Sequence, residues 1–532
     1  MQSTSPITPR KTRSNPYRRL WQMEKRKVGN VEYHEAGADY FAKRELRKHA
    51  RVWSLWALGV GAVISGHFSG WNFGLAAGGF GGLFFAAMII GLMYVCLCFC
   101  LAEMSPALPH TGGAYSFARS AMGPWGGFVT GLAENIEYVL TPAVIVFFIG
   151  AYLGGIFETP ESIQPLWWIG MYILFVGLNL IGVELSFKVS VLVTLLALAV
   201  LAIFWASAIF SGQLDFSRWA LNIGVGDDGS LIELAEGGGA FLPLGMKGIL
   251  AAMPFAVWLY LAIEQLPLAA EESHDPKRDM PKGLLLGIAT LLFSAFMVLF
   301  LNSSIPVKGG DPVASGAFYL GSSGEPLLDG FRALYGTGAA KLLSLCAVIG
   351  LIASFHTIIF AFGRQIYSLS RAGYFPSKLS ETHGTRKVPH VALIAGAVLG
   401  FAVMMSVYLI KGEGAGAFIG AQLLNMAVFG AMISYALQAI AFILLRSRLP
   451  NIERPYRSPF GVLGGWIVVV IAAVTLYMQF QDPTYRGGVI GVAIWYAVGV
   501  IYFALIGRKS LVYSPEEDFA VKARAQAGLD KG

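Results

Sequence analysis

Apolar positions along this chain gather into long runs rather than the short alternating stretches that mark strands. Twelve runs are present, at residues 52–73, 83–104, 125–157, 166–181, 189–210, 248–270, 283–305, 341–370, 388–410, 418–445, 461–480 and 488–506. Each approaches or exceeds the roughly 20 residues a helix needs to cross a bilayer core. The pattern predicts an all-α membrane protein with twelve transmembrane helices. Two of the runs are interrupted. The first contains Gly59-Val-Gly-Ala-Val-Ile-Ser-Gly-His-Phe-Ser-Gly-Trp71, although no formally charged residue occurs between Arg51 and Glu103. The sixth reads Ala252-Met-Pro-Phe-Ala-Val-Trp-Leu-Tyr-Leu-Ala-Ile-Glu264, in which Pro254 lacks a backbone donor and Glu264 puts an acid within the apolar stretch.

Unpaired backbone groups in hydrocarbon cost several kcal/mol each, so irregular backbone at that depth is expected where it lines a cavity. Breaks in the first and sixth spans are the arrangement expected of a five-plus-five inverted repeat with a central site between the halves. The predicted organisation is a basic tail (1–51), a first five-helix repeat (52–210), an external loop (211–246), a second repeat (247–446), two extra helices (447–507) and a tail (508–532). Lys and Arg set the orientation. With the N-terminus inside, 32 of the 39 basic residues fall on the cytoplasmic side, counting Arg364 in the cytoplasmic half of the eighth run, and 13 of them are in residues 1–51. Both termini are therefore expected in the cytoplasm of a cell bounded by this inner or plasma membrane.

Composition agrees, with 55% hydrophobic and 13% charged residues. The net charge of +7 is accounted for by topology and anionic lipid, with its largest cluster at residues 10–27, so nucleic acid is not an expected partner. No apolar leader precedes residue 52, which makes the first run the first anchor. Cys96, Cys98, Cys100 and Cys346 lie in apolar runs without metal or redox spacing, and read as small apolar residues. No phosphate loop or histidine cluster is present, which argues against an ATP-driven pump, an enzyme, a metal site or a cofactor.

Four elements together resemble the amino acid–polyamine–organocation transporter family over about residues 50–510. Glu103-Met-Ser-Pro-Ala-Leu-Pro-His-Thr-Gly-Gly-Ala-Tyr115 is similar to its Glu…Pro…Gly-Gly-x-Tyr element, and Ala270-Glu-Glu-Ser-His-Asp-Pro-Lys-Arg-Asp-Met-Pro281 to its acidic loop. Arg364-Gln-Ile-Tyr-Ser-Leu-Ser-Arg-Ala-Gly-Tyr-Phe-Pro376 and Arg454-Pro-Tyr-Arg457 match two further elements. The resemblance implies a LeuT-like fold and alternating-access transport. Within the family, Gly131-Leu-Ala-Glu-Asn-Ile-Glu-Tyr-Val-Leu-Thr-Pro142 and Ile64-Ser-Gly-His-Phe-Ser-Gly-Trp71 resemble ethanolamine permeases.

Relatives that carry amino acids commonly have Gly-Ser-Gly in the first break, where amides at a half-helix end receive a carboxylate. Here Ile64 replaces the first glycine before Ser65 and Gly66, disfavouring a positive φ and adding bulk. That change suits an amine without a carboxylate, although Ser65 and Gly66 alone can still serve capture of one. His67 either titrates or bonds substrate, or satisfies freed carbonyls, and Phe68 follows it in the break. Glu134 and Glu137 lie about 14 and 18 Å into the third span, near the midplane and on one helical face. They are expected to pair with an ammonium group or exchange a proton, or else to form a structural cluster with Asn135, Lys188 or another span.

Trp258 and Tyr260 are expected to cover the substrate, aromatic faces being good partners for ammonium ions, or simply to pack. Ala262 replaces a glycine of the family text. Thr194 stands where some proton-coupled relatives carry a lysine. Ser354, near His356 and Thr357 in the eighth span, is expected to face the first break. The substrate-binding set is thus Ser65, Gly66, His67, Phe68, Glu134, Glu137, Trp258, Tyr260 and Ser354, with Glu134, Glu137, Glu264 and His67 as coupling candidates. The leading expectation is a secondary transporter importing ethanolamine, coupled to protons or working by exchange. An amino acid permease of the same fold is the alternative, and a sensor or channel built on this scaffold is a more distant one.

Overall fold

The computed structural model describes residues 26–28, 30–34, 36, 38–108, 110, 112–234, 239–307, 316–412, 422–481 and 486–513. Most of the basic cluster at residues 10–27 and the end of the C-terminal tail lie outside them. The apolar runs form helices: α1 (Val52–Val63), α2 (Phe73–Ala107), α3 (Gly113–Phe157), α4 (Gln164–Ile181), α5 (Val183–Phe210) and α6 (Gly245–Trp258). The second group is α7 (Pro276–Ser304), α8 (Pro326–Arg371), α9 (His390–Lys411), α10 (Leu424–Arg448), α11 (Gly461–Gln481) and α12 (Arg486–Leu505). Among the described residues, eleven helical segments are long and apolar enough to cross a membrane, and Val52–His67 is a shorter apolar one.

Three of the long helices turn sharply at a glycine. Gly79, Gly123 and Gly336 have φ of 71°, 80° and 75° with ψ near 180°, a region that side chains other than glycine's disfavour. The turn at Gly79 ends the first span and begins the second. At Gly123 it separates a short entry helix from the third span, which starts at Pro124 as the hydrophobic run predicted.

The interior is built on α3, against which α8 and α10 pack, while α2 packs along α6. Lipid-type surface lies on α4, α5, α9, α11 and α12, where Ile173, Leu192, Val398, Leu463 and Ile494 are exposed. Such a surface is favourable only in an apolar solvent. The loop between α5 and α6 is folded rather than merely hydrophilic. It carries a short helix (Phe216–Ala220) and the antiparallel hairpin of β3 (Ile223–Val225) and β4 (Leu231–Glu233). Trp219 stacks on Phe80 with ring centroids 4.3 Å apart, pinning this loop to α2 beside Gly79.

On the opposite face, β1 (Arg26–Val28) pairs with β2 (Val31–His34), and β2 with β5 (Leu511–Val512). The two ends of the described chain therefore meet on one side, and the C-terminal tail begins as an ordered strand.

Candidate functional site

Both breaks form, and they face each other. After Val63 the first span passes through a 3-10 turn (Ile64–His67) and irregular backbone before helix resumes at Phe73. The sixth span runs as α6 through Pro254 to Trp258, so the proline does not make the break. Unwinding occurs four residues later, where Ala262 takes φ +83°, and a 3-10 segment, Ile263–Glu272, follows. Ile64 has φ −60°. Its β-branch therefore costs the backbone nothing, and only its bulk distinguishes it from glycine.

The break residues are buried, and many of their polar groups bond across the two breaks or to α8. The Ser65 amide donates to Ser354 Oγ (2.8 Å), and that hydroxyl donates to the Gly61 carbonyl (2.7 Å). Ser354 thereby takes a carbonyl that the end of α1 leaves open, while Thr194 and Gln265 add side-chain bonds to the Ala57 (3.0 Å) and Leu58 (3.2 Å) carbonyls one turn earlier. His67 Nε2 lies 3.0 Å from the Leu259 carbonyl and Nδ1 2.8 Å from Ser294 Oγ. A carbonyl only accepts, so Nε2 carries a proton, and a neutral ring then accepts the Ser294 hydroxyl at Nδ1. His67 thus satisfies a freed carbonyl of the sixth break. Trp258 Nε1 donates to the Ser69 carbonyl (3.0 Å). A β-carbon at Gly66 would stand 2.3 Å from the Trp258 carbonyl oxygen, so glycine is what lets the two breaks touch. Phe68 packs against Gly350 of α8, and its carbonyl accepts from Tyr152 (3.1 Å).

Glu134, Glu137 and Glu264 assemble on the other side of the sixth break, fully enclosed. Tyr138 donates to Glu264 (3.1 Å), Tyr435 to Glu137 (3.1 Å), and the Gln365 amide to Glu134 (2.7 Å). Tyr94 donates in turn to Tyr435 (3.1 Å). Oε2 of Glu137 and Oε2 of Glu264 are both buried, and neither has a protein hydrogen-bond partner. Lys188 does not join this cluster; it pairs with Glu184 at an exposed position (2.8 Å). Asn135 bonds the Gly131 carbonyl of its own helix (2.8 Å). Tyr260 reaches this group through Tyr94, its ring against that tyrosine and its hydroxyl on the Ala87 carbonyl (3.4 Å).

The geometry thus brings Ser65, Gly66, His67, Phe68, Trp258 and Ser354 into one group and the three acids with Tyr260 into a second. Residue patterns did not point to Ser294, Gln265, Tyr94, Tyr435 or Gln365. The available signal was a polar group inside an apolar run, which Tyr94 and Gln365 both provide.

Comparison with known proteins decides the family, because the amino acid permease family matches residues 55–526. The chain belongs to the amino acid permease family. It is 28% identical over 437 residues to an uncharacterized transporter of Rhizobium meliloti (strain 1021), covering 80% of this chain and 85% of the relative. The methylthioribose transporter of Bacillus subtilis (strain 168) is 23% identical, with 88% and 95% covered. The D-serine/D-alanine/glycine transporter of Escherichia coli (strain K12) is also 23% identical, with 88% and 96% covered. Among solved structures, the nucleobase-cation-symport transporter Mhp1, closed around bromovinylhydantoin, aligns over 91% of this chain and 99% of its own at 13% identity and a TM-score of 0.46. Family membership and the eleven long apolar helical segments among the described residues make this permease a multi-pass membrane transporter.

Each end of the site in this permease is closed by named contacts. On the side bearing β1, β2 and β5, Arg364 pairs with Glu272 (2.9 Å), both fully enclosed, and Arg371 with Glu271 (2.5 Å). On the other side, Asn72 donates to the carbonyls of Leu320 (2.6 Å) and Ser323 (2.8 Å), holding the short helix Gly316–Ser322 over the first break. Next to it, burial raises the Glu325 carboxyl above its ordinary value, while its ion pair with Arg332 (2.7 Å) opposes that rise.

Proposed function

We propose that this permease imports a small cationic amine, ethanolamine being the first candidate, by alternating access across the cell membrane. The observation that carries the reading is the acid cluster. Three carboxylates at mid-span depth are bonded, among the described residues, by tyrosine hydroxyls and a glutamine amide rather than by guanidinium or ammonium groups. The buried carboxyl oxygen that lacks a donor on each of Glu137 and Glu264 is satisfied by a proton or by a cation. Glu137 and Glu264 would therefore exchange a proton during transport, with Glu134 poised beside them, and an ammonium substrate would be drawn toward the same negative region. The first break supports an amine without a carboxylate, since Ile64 adds bulk and the Ser65 amide is already engaged by Ser354.

The same reading takes the architecture as twelve spans in a five-plus-five repeat over residues 52–210 and 247–446, with two helices added and both termini in the cytoplasm. An amino acid substrate is the second reading. Family membership favours it, and relatives named for D-serine, D-alanine and glycine share most of this chain's length.

Uptake of labelled ethanolamine into vesicles holding the purified protein, under an imposed pH gradient and with amines and amino acids as competitors, tests both. Ethanolamine uptake that amines suppress, that responds to the gradient and that is lost in Glu137→Gln supports the proposal. Competition by amino acids without ethanolamine transport refutes the substrate, and gradient-independent uptake refutes proton coupling.

A further inference from the structure

The residues before α1 do not simply lead into the membrane. They cross the closed face between the two parts that must separate for the site to open there. At one end, residues 40–45 are fastened to the connection between α8 and α9. Arg44, itself buried, donates to Ser380 Oγ (2.6 Å) and the Ser377 carbonyl (3.0 Å), and its guanidinium lies 3.6 Å from the centre of the Tyr40 ring. Tyr40 donates to the Arg371 carbonyl (2.9 Å), and Tyr367 donates to the Arg44 carbonyl. Thr382 bonds the Lys43 carbonyl through both its amide (3.1 Å) and its hydroxyl (2.8 Å).

At the other end, the amides of His49 and Ala50 both donate to the Glu272 carbonyl (2.8 Å each), and the His274 amide returns a bond to Ala50 (3.0 Å). Those three bonds join the base of α1 to the end of the sixth span, so the two move as one body. Separation from α8 must then break the Arg364–Glu272 and Arg371–Glu271 pairs and also the fastening at residues 40–45.

We infer that residues 38–50 are a strap that locks the site shut on the face bearing β1, β2 and β5, with Arg44 as its pin. The strap sets how often that face opens, and an event that frees Arg44 or Tyr40 from the α8–α9 connection accelerates the permease's turnover in that direction. The inference rests on the alternating-access part of the proposed function and not on the substrate.

The test uses the full-length protein with its four cysteines replaced by alanine and one reporter, Ala57→Cys, on the buried inner half of α1. Alkylation by a membrane-impermeant maleimide is followed in lipid nanodiscs. Arg44→Gln is expected to label about tenfold faster than the parent, and Tyr40→Phe, which removes one hydrogen bond, about threefold. A second reporter, Leu320→Cys on the opposite face, is expected to label no faster. Unchanged Ala57→Cys labelling in both variants overturns the lock. An equal rise at Leu320→Cys also overturns it, because general loosening then explains the result. Labelling requires no substrate, so an error about ethanolamine leaves this result standing, and loss of the strap leaves the amine reading standing.

Discussion

Ser354 offers the sharpest test of what holds the first break in place. Its hydroxyl accepts from the Ser65 amide and donates to the Gly61 carbonyl, bridging the end of α1 to the turn that follows. Ser354→Ala removes both bonds at a site with no solvent exposure. An orphaned buried donor or acceptor costs about 1–3 kcal/mol, so two cost about 2–6 kcal/mol before relaxation. The Ser65 amide and the Gly61 carbonyl are four residues apart and can relax toward each other as a helical pair, which puts the expected loss nearer about 2–4 kcal/mol. Ser354→Thr keeps the hydroxyl and is expected to retain most of the stability. The assay pairs thermal unfolding of the purified protein with the concentration dependence of uptake. The bridge argument requires Ser354→Ala to melt well below both the parent and Ser354→Thr. A parent-like midpoint combined with a raised half-saturating concentration refutes it, and makes Ser354 a substrate contact instead.

Two further outcomes are expected. Glu272→Gln leaves the enclosed Arg364 guanidinium without its counter-charge, a loss of about 3–5 kcal/mol, whereas Glu272→Gln with Arg364→Met is expected to recover much of it; equal or additive losses in unfolding measurements would contradict this. Ala262 holds φ +83°, a region costing an L-residue about 1–2 kcal/mol, so Ala262→Gly is expected to stay within about 1 kcal/mol of the parent once chain entropy and the lost methyl are counted. Ala262→Val, branched at the same φ, is expected to lose about 2 kcal/mol or more, and equal midpoints for the two variants would refute the assignment of strain.

The spans were legible because a bilayer demands long uninterrupted apolar runs, and the breaks were legible because glycine, serine, histidine and glutamate inside such runs are hard to explain otherwise. Less visible was the direction each polar residue faces. Glu134 and Glu137 could be placed on one side of their helix by spacing, yet their partners Gln365 and Tyr435 come from spans more than two hundred residues away. Pro254 was a misleading sign. A proline is tolerated where neighbouring spans pack around the helix, and the backbone gave way instead at Ala262, where the chain has no helical φ. The strap before α1 left no hydrophobic trace, since its order comes from hydrogen bonds to a distant loop.

The sixth break also suggests how two groups of residues on opposite sides of it act together. Its 3-10 segment turns by one-third of a circle per residue, so neighbours point in different directions. Gln265 reaches back to the Leu58 carbonyl of α1, while Glu264 points to Tyr138 of α3 beside Glu137. A rotation or shift of this short segment cannot change one contact without disturbing the other. Pulling Gln265 with a moving α1 would carry Glu264 away from Glu137 and leave each carboxyl to find its own proton. On the proposed proton exchange, opening of the first break and proton release at the acid cluster would be joined through two adjacent side chains, without any longer path between the two sites.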